Sequence, residues 1–336
     1  MNLLPKQYLF EFGYNVSYRL NLLKRIWPSG KDKIVALMYH GIINSYPDNP
    51  VRNISAYNIL KNKFEEQMSY LASHCNVISI SDAIAGKGIS SRKKNVILSF
   101  DDGYRNNYTN AFPVLLRYKL PALFSLPTAF VVGRMPLWND VIECAVAATN
   151  RQSAHIKWNN SQFDFRLATI SQKSALFWWL FSKCVEIKQE ERELFIANTL
   201  QELDLDVDNN ELLNDADYAP LSAKEINIMQ ESGIIEFASH SVNHFSLSRV
   251  SQDTLKSELA NSKLAIERIT GVPCRYFTIP GGFYNEAAKN EMLVNYEKVF
   301  SSAPRESRLL KTDGVIGRYC VMRYLSTPLF IDLVSG

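Results

Sequence analysis

The sequence contains no run of about 18 consecutive apolar residues, the length a membrane-spanning helix needs. Near the N-terminus, Lys6, Glu11 and Arg19 interrupt every apolar stretch before it reaches the form of a signal-peptide core. No small-residue cleavage site follows, so a cytoplasmic protein is the expectation. Paired cysteines are also missing. Cys75, Cys144, Cys184, Cys274 and Cys320 are scattered with no CxxC pair, which argues against a disulfide framework or a zinc knuckle and for reduced thiols. No basic block occurs, and 37 Lys+Arg against 34 Asp+Glu leave a formal charge of only +3, so a nucleic-acid partner is not expected. Histidine is scarce: the chain has five, and none follows His244.

What remains is the composition of a globular chain long enough to bury a sizeable core. Short apolar, β-branched runs recur at Ile34–Tyr39, Asn76–Ile80, Val96–Phe100, Ala122–Leu126, Ile234–Ser239, Tyr276–Pro280 and Lys298–Ser301. Helical stretches separate them. Such alternation reads as βαβ units around a buried parallel sheet. Ser222 and Glu225 form a capping-box pair, with Gly233 at the expected helix end. Ser251 opens another helix, with Leu255, Leu259, Ile266 and Ile269 on one face and Gly271 and Pro273 at its close. Seven strands suggest a parallel α/β barrel in a single domain over residues 1–336.

Two segments stand outside this pattern. Residues 1–33 read as an N-terminal helical extension, in which aromatics mix with Lys6, Arg19, Lys24 and Arg25. A helix covering one end of the barrel is the preferred reading, and peripheral membrane contact through residues 1–27 the second. Residues 133–220 are polar and helical in pattern, with an aromatic cluster at Phe177, Trp178, Trp179 and Phe181, and read as a helical insertion beside the substrate cleft. The tryptophans read as the core of that insertion in preference to a sugar-stacking platform.

The residues suited to chemistry lie where predicted strands end. Asp101 and Asp102 follow an apolar strand and are released by Gly103. Two buried carboxylates are costly without a cation, although an Asp-Gly turn is a common loop device. His240 and His244 follow the strand Ile234–Ser239 and are four residues apart, a spacing that one helical turn would bring to a single side as metal ligands. Together they offer an Asp/His/His set with positions open to water and substrate.

With SFDDG at 99–103 and HSVNH at 240–244, the chain resembles the polysaccharide deacetylases, a carbohydrate esterase family, over roughly 34–132 and 221–335. The resemblance implies a distorted (β/α)7 barrel here carrying the helical insertion. It further implies Asp102, His240 and His244 as ligands of a divalent metal ion, and Asp101 as general base. Zinc is the first choice for that donor set, with cobalt, manganese or iron as the others. The partner implied is an acetylated carbohydrate. The segment Arg275–Tyr284 resembles the family's third motif in weakened form: Thr278 stands where an arginine is usual and Gly281 where a tyrosine is usual. Gly281 keeps a backbone N–H for an oxyanion, and Arg275 and Arg318 are both candidates for orienting Asp101. The histidine acid usual near the C-terminus is absent, and His40, in a Met-Tyr-His segment like that of exopolysaccharide deacetylases, is the candidate in its place. His74 and His155 lie away from strand ends and read as structural.

The expected activity is hydrolysis of an N-acetyl or O-acetyl group on a surface polysaccharide or its lipid-linked precursor, at the inner face of the membrane. A deformylase of a lipid-linked amino sugar and a catalytically inactive carbohydrate-binding relative are the alternatives. A phosphoryl-transfer site of the haloacid dehalogenase kind fails, because the order here is DDGY rather than DxDx(T/V) and HSVNH would have no role.

Overall fold

The computed structural model describes residues 34–205, 209–302 and 314–335. The expected extension over 1–33 and its membrane contact lie outside the described residues. The central sheet is parallel and contains β1 (Ile34–Tyr39), β2 (Asn95–Phe100), β3 (Ala122–Leu126), β6 (Ile235–Ser239), β7 (Tyr276–Thr278), β8 (Lys298–Ser301), β9 (Val315–Gly317) and β10 (Tyr319–Cys320), while β4 (Ser153–Trp158) and β5 (Ser161–Arg166) form a separate hairpin between β3 and β6. Every residue of β1, β2 and β3 is buried, because helices cover one face and the barrel interior the other. The ring closes in an unusual way. β9 pairs with β8 and β10 pairs with β1, and only Arg318 separates them, so one interrupted strand joins both edges. Counting that strand once gives the seven of a (β/α)7 barrel, distorted at Arg318.

Strand alternation assigns the two faces. Ile34, Ala36, Ile97, Leu123, Ala238, Tyr276, Phe300 and Ile316 meet in one interior cluster. Their sequence neighbours, among them Val35, Leu37, Val96, Leu98, Phe124 and Phe277, pack outward in the larger cluster shared with the helices. The helix Gln252–Thr270 contributes Leu255, Leu259 and Ile266 to that cluster, begins at a Ser251 cap and ends at Gly271 in the left-handed region (φ 69°). The Ser222–Glu225 capping box also forms.

One expected strand does not belong to the ring. Only Asn76–Val77 is extended, and it pairs outside the path with the start of β2. Residues Ile80–Ile84 are instead helical, because Ser79 accepts a hydrogen bond from the Asp82 N–H, a local N-cap that overrides β-branched composition. Ile78, Ile80 and Ala83 then plug the interior cluster from the N-terminal end. The member that sequence reading missed is β9–β10, whose two short pieces flank a charged residue and give no apolar run.

The insertion joins β3 to β6 and is not wholly helical. Helices Trp138–Ala148, Ile170–Glu186 and Gln189–Glu202 accompany an antiparallel hairpin of β4 (Ser153–Trp158) and β5 (Ser161–Arg166). Asn159 and Asn160 turn the hairpin with φ of 48° and 60°, the type I′ geometry that asparagine tolerates. Ile142, Val146, Ile156, Phe177, Leu180 and Phe195 form a separate core, against which Trp178 and Trp179 pack half-buried. Both tryptophans therefore serve that core. Glu143 ties it to the barrel, accepting from the Asn53 N–H (2.8 Å), the Ile54 N–H (3.0 Å) and the Tyr218 hydroxyl (2.6 Å).

Candidate metal centre

The interior parity of each strand carries forward to its C-terminal end. His40 continues β1 after Ala36 and Met38, Asp101 continues β2 after Ile97 and Ser99, and His240 continues β6 after Ala238. Thr278 and Arg318 follow the inward Tyr276 and Ile316. All five therefore face the same mouth. Asp102 would face outward by parity, but its φ of 74° and that of Gly103 (71°) turn the chain and return its carboxylate to the mouth. A non-glycine residue held there stores strain, which surrounding structure must impose.

The HSVNH segment is a loop, not the helical turn expected from its spacing. Ser241 (φ 65°) and His244 (φ 54°) both take left-handed conformations, and the two imidazole centroids end 4.9 Å apart. Buried Glu258 organises this loop, accepting from the N–H groups of Val242 (2.8 Å) and Asn243 (3.0 Å) and from the Asn243 amide. The Ser241 hydroxyl accepts the His244 N–H at 3.0 Å, and Trp138 of the insertion donates its indole N–H to the His244 carbonyl at 3.1 Å.

Asp102, His240 and His244 converge closely enough to share one ion. Asp102 Oδ1 is buried without a hydrogen-bond partner and lies 3.5 Å from His240 Nε2 and 3.3 Å from His244 Nε2. The Nδ1 of His240 is 2.8 Å from the Thr278 carbonyl, which can only accept, and 2.6 Å from its hydroxyl. That bond places the proton on Nδ1 and leaves Nε2 of a neutral ring as a lone pair aimed at the carboxylate. Lone pairs so opposed fit a cation between them, and the donor set suits a borderline divalent ion.

Asp101 is held differently. Arg318, fully buried, donates Nη1 to Oδ1 (2.7 Å) and Nη2 to Oδ2 (2.6 Å), with further bonds to Ser99 Oγ and the Ser301 carbonyl. Burial alone would raise the Asp101 pKa, and the Arg318 charge and hydrogen bonds overcome it and keep the carboxyl below the ordinary value. Removing one partner from such a buried pair costs on the order of 3–5 kcal/mol. Of the two arginine candidates, Arg318 takes the role. Arg275 precedes β7 at the opposite end of the barrel, where it makes a two-bond ion pair with Glu297 (2.6 Å each) and remains partly exposed. It is not part of the site.

His40 stacks on Tyr57 at 4.5 Å, and its buried Nδ1 has no partner. Burial lowers its pKa, opposed by the charges of Asp102 and Asp101. Gly281 lies in the turn after β7 with φ 59°, a conformation glycine takes without cost. His74 and His155 are remote, His155 being paired with Asp164 on the hairpin. Sequence reading missed Glu258, Trp138 and Asp140. The signal for Glu258 is an acid on the apolar side of a helix, between Leu255 and Leu259. Asp140 accepts the buried Tyr104 hydroxyl (2.9 and 3.1 Å), and burial, with Glu143 and Asp102 nearby, pushes its pKa well above the carboxylate range.

A closed seven-strand α/β barrel with an Asp/His/His cluster at its mouth thus defines the class. The chain belongs to the polysaccharide deacetylase family, whose model matches residues 88–159 and 197–295, just over half of it. In fold it is similar to the Streptococcus pyogenes deacetylase PplD in complex with acetate (TM-score 0.60, 16% identity, 90% of this chain and 99% of that one). It is likewise similar to IcaB from Ammonifex degensii (TM-score 0.56, 18% identity, 91% and 98%). Among curated proteins it is similar to the poly-beta-1,6-N-acetyl-D-glucosamine N-deacetylase of Staphylococcus epidermidis, 30% identical over 101 residues, 27% of this chain and 35% of the relative. The Staphylococcus aureus protein of the same name is 28% identical over 111 residues, 30% of this chain and 37% of the relative. The match thus spans about a third of these relatives' length.

Proposed function

We propose that this protein is a metal-dependent deacetylase that removes N-acetyl, or O-acetyl, groups from a surface polysaccharide or its lipid-linked precursor. The observation that carries the reading is Asp101, locked by Arg318 beside the Asp102/His240/His244 cluster. These three residues would hold a divalent ion, zinc being the best fit to two imidazoles and a carboxylate. When bound, the ion supplies Lewis acidity toward an acetyl carbonyl and lowers the pKa of an attacking water. Asp101, ionised and fixed in direction, accepts the proton of that water. Thr278 keeps His240 in the tautomer that presents Nε2. His40 delivers a proton to the departing nitrogen, and the Gly281 N–H supports the developing oxyanion. The polysaccharide reading draws on the family and on the poly-N-acetylglucosamine deacetylases it resembles. A cytoplasmic working place, at the membrane face where such glycans are assembled, is supported by five cysteines with no disulfide among them.

The test is purified protein loaded with zinc or cobalt and assayed for new amines on β-1,6-linked N-acetylglucosamine oligomers. Release of acetate by wild type is expected. In Asp101→Asn, retained metal with turnover lowered on the order of 100-fold or more is expected. Normal turnover in that variant would reassign the base, and inactivity of the loaded wild type on all acetylated sugars would defeat the proposal.

A further inference from the structure

A second feature adjoins the metal loop. Between the insertion and the barrel lies a cavity of about 340 Å³, walled by Phe130, Leu137, Trp138, Ile196 and Leu200 and by Val242 and Asn243 of the HSVNH segment. Arg192 lines it from the insertion helix Gln189–Glu202. This arginine is 3% exposed, and its Nε and Nη1 have no hydrogen-bond partner. Its guanidinium lies between the rings of Trp138 (5.1 Å) and Phe245 (4.9 Å), which fix its plane without neutralising it. The nearby acids are otherwise engaged. Glu258 is occupied by the N–H groups of the metal loop, and Glu193 is held by the Gln189 amide at 3.2 Å. Among the described residues no carboxylate makes an ion pair with Arg192.

A buried, unpaired guanidinium is costly unless a ligand completes it. We infer that this cavity is a subsite for an oxyanion, a carboxylate or a phosphate, carried by the saccharide on which the neighbouring centre acts. The inference rests on the proposed deacetylase reading for the identity of the saccharide, but not for the existence of the site. Arginine suits such groups because its planar donors match two oxygens at once. The apolar walls exclude water and strengthen the contact. Trp138 touches both sites, stacking on Arg192 and bonding the His244 carbonyl, so an anion seated here lies one side chain from a metal ligand.

The experiment is thermal unfolding with N-acetylglucosamine 1-phosphate, glucuronate, plain N-acetylglucosamine or sodium chloride at matched ionic strength. Either anionic sugar should raise the wild-type Tm by about 2–4 °C near saturation, and the neutral sugar and the salt should not. The stronger of the two anions identifies phosphate or carboxylate as the group recognised. Arg192→Met, which keeps the stem between the rings, should lose the response. Ile196→Glu, one helical turn further on the same cavity wall, should supply an internal anion, raise the Tm of the free protein and also abolish the response. Absence of a wild-type shift with either anion, or an undiminished shift in Arg192→Met or Ile196→Glu, overturns the subsite. Because this readout needs no turnover, an inactive protein that still binds the anions would sink the deacetylase reading alone.

Discussion

Carboxyl groups near the barrel mouth sit on opposite sides of their usual pKa range. Asp101 is held low by the Arg318 guanidinium, whereas Asp140 is pushed up by burial and by the charges of Glu143 and Asp102. Asp140 therefore keeps a proton in the folded state at pH values where the unfolded chain, near pKa 3.9, has lost it. The folded state binds more protons, so this group's contribution to stability falls as pH rises above about 4, by up to about 1.4 kcal/mol per pH unit until its folded pKa is reached. Asp140→Asn retains an oxygen for the Tyr104 hydroxyl and has no such penalty. Its Tm should gain on wild type as pH rises above about 4, the gain levelling off once the folded wild-type carboxyl ionises, and parallel Tm curves would contradict the assignment. The residues that gather at the mouth were legible where they follow a strand, as for Asp101, Asp102, His240 and His244. Arg275 was misplaced although the information was present: it precedes its strand, and only residues after a strand reach the mouth. Arg318 stayed undecided because its strand is too short to announce itself.

At the level of elements, the loop 240–244 is shaped from outside itself. Between the left-handed residues Ser241 and His244, Val242 and Asn243 are held by Glu258, which lies on a different element. Nothing in HSVNH signals those conformations, since neither position is glycine, and the i,i+4 spacing points to a helical turn that does not form. Glu258→Gln removes the charge that two backbone N–H groups share. It should weaken metal affinity roughly 10–100-fold, the usual scale for groups that orient ligands, while the barrel stays folded. Chelator competition measures this, and unchanged affinity would leave Glu258 as a helix residue with no hold on the centre. The hairpin of the insertion was legible in principle, because Asn159-Asn160 between alternating residues is a turn signature. The polar, helical pattern on either side of it masks the signal.

For the whole molecule, the number of barrel strands was legible and one member was not. Apolar runs announced six of the seven, and the seventh hides because a buried arginine breaks it. The same closure gathers Asp102 after β2 and His240 and His244 after β6 at one point, so an ion held there would cross-link distant parts of the ring. An ion present at about a thousand times its Kd stabilises by about 4 kcal/mol, which for a chain of this size corresponds to a Tm increase of about 6 °C. Chelation should lower the wild-type Tm accordingly and leave His240→Ala almost unmoved, and equal responses would mean the ion binds elsewhere. Closure through Val315–Cys320 also sets an order in time. A chain emerging from the ribosome has made Asp101, Asp102, His240 and His244 by residue 244, yet Arg318 is still 74 codons away. Until that last strand arrives, Asp101 has no guanidinium to fix its direction, so a truncated or half-made copy carries the cluster without the group that aims the neighbouring carboxylate.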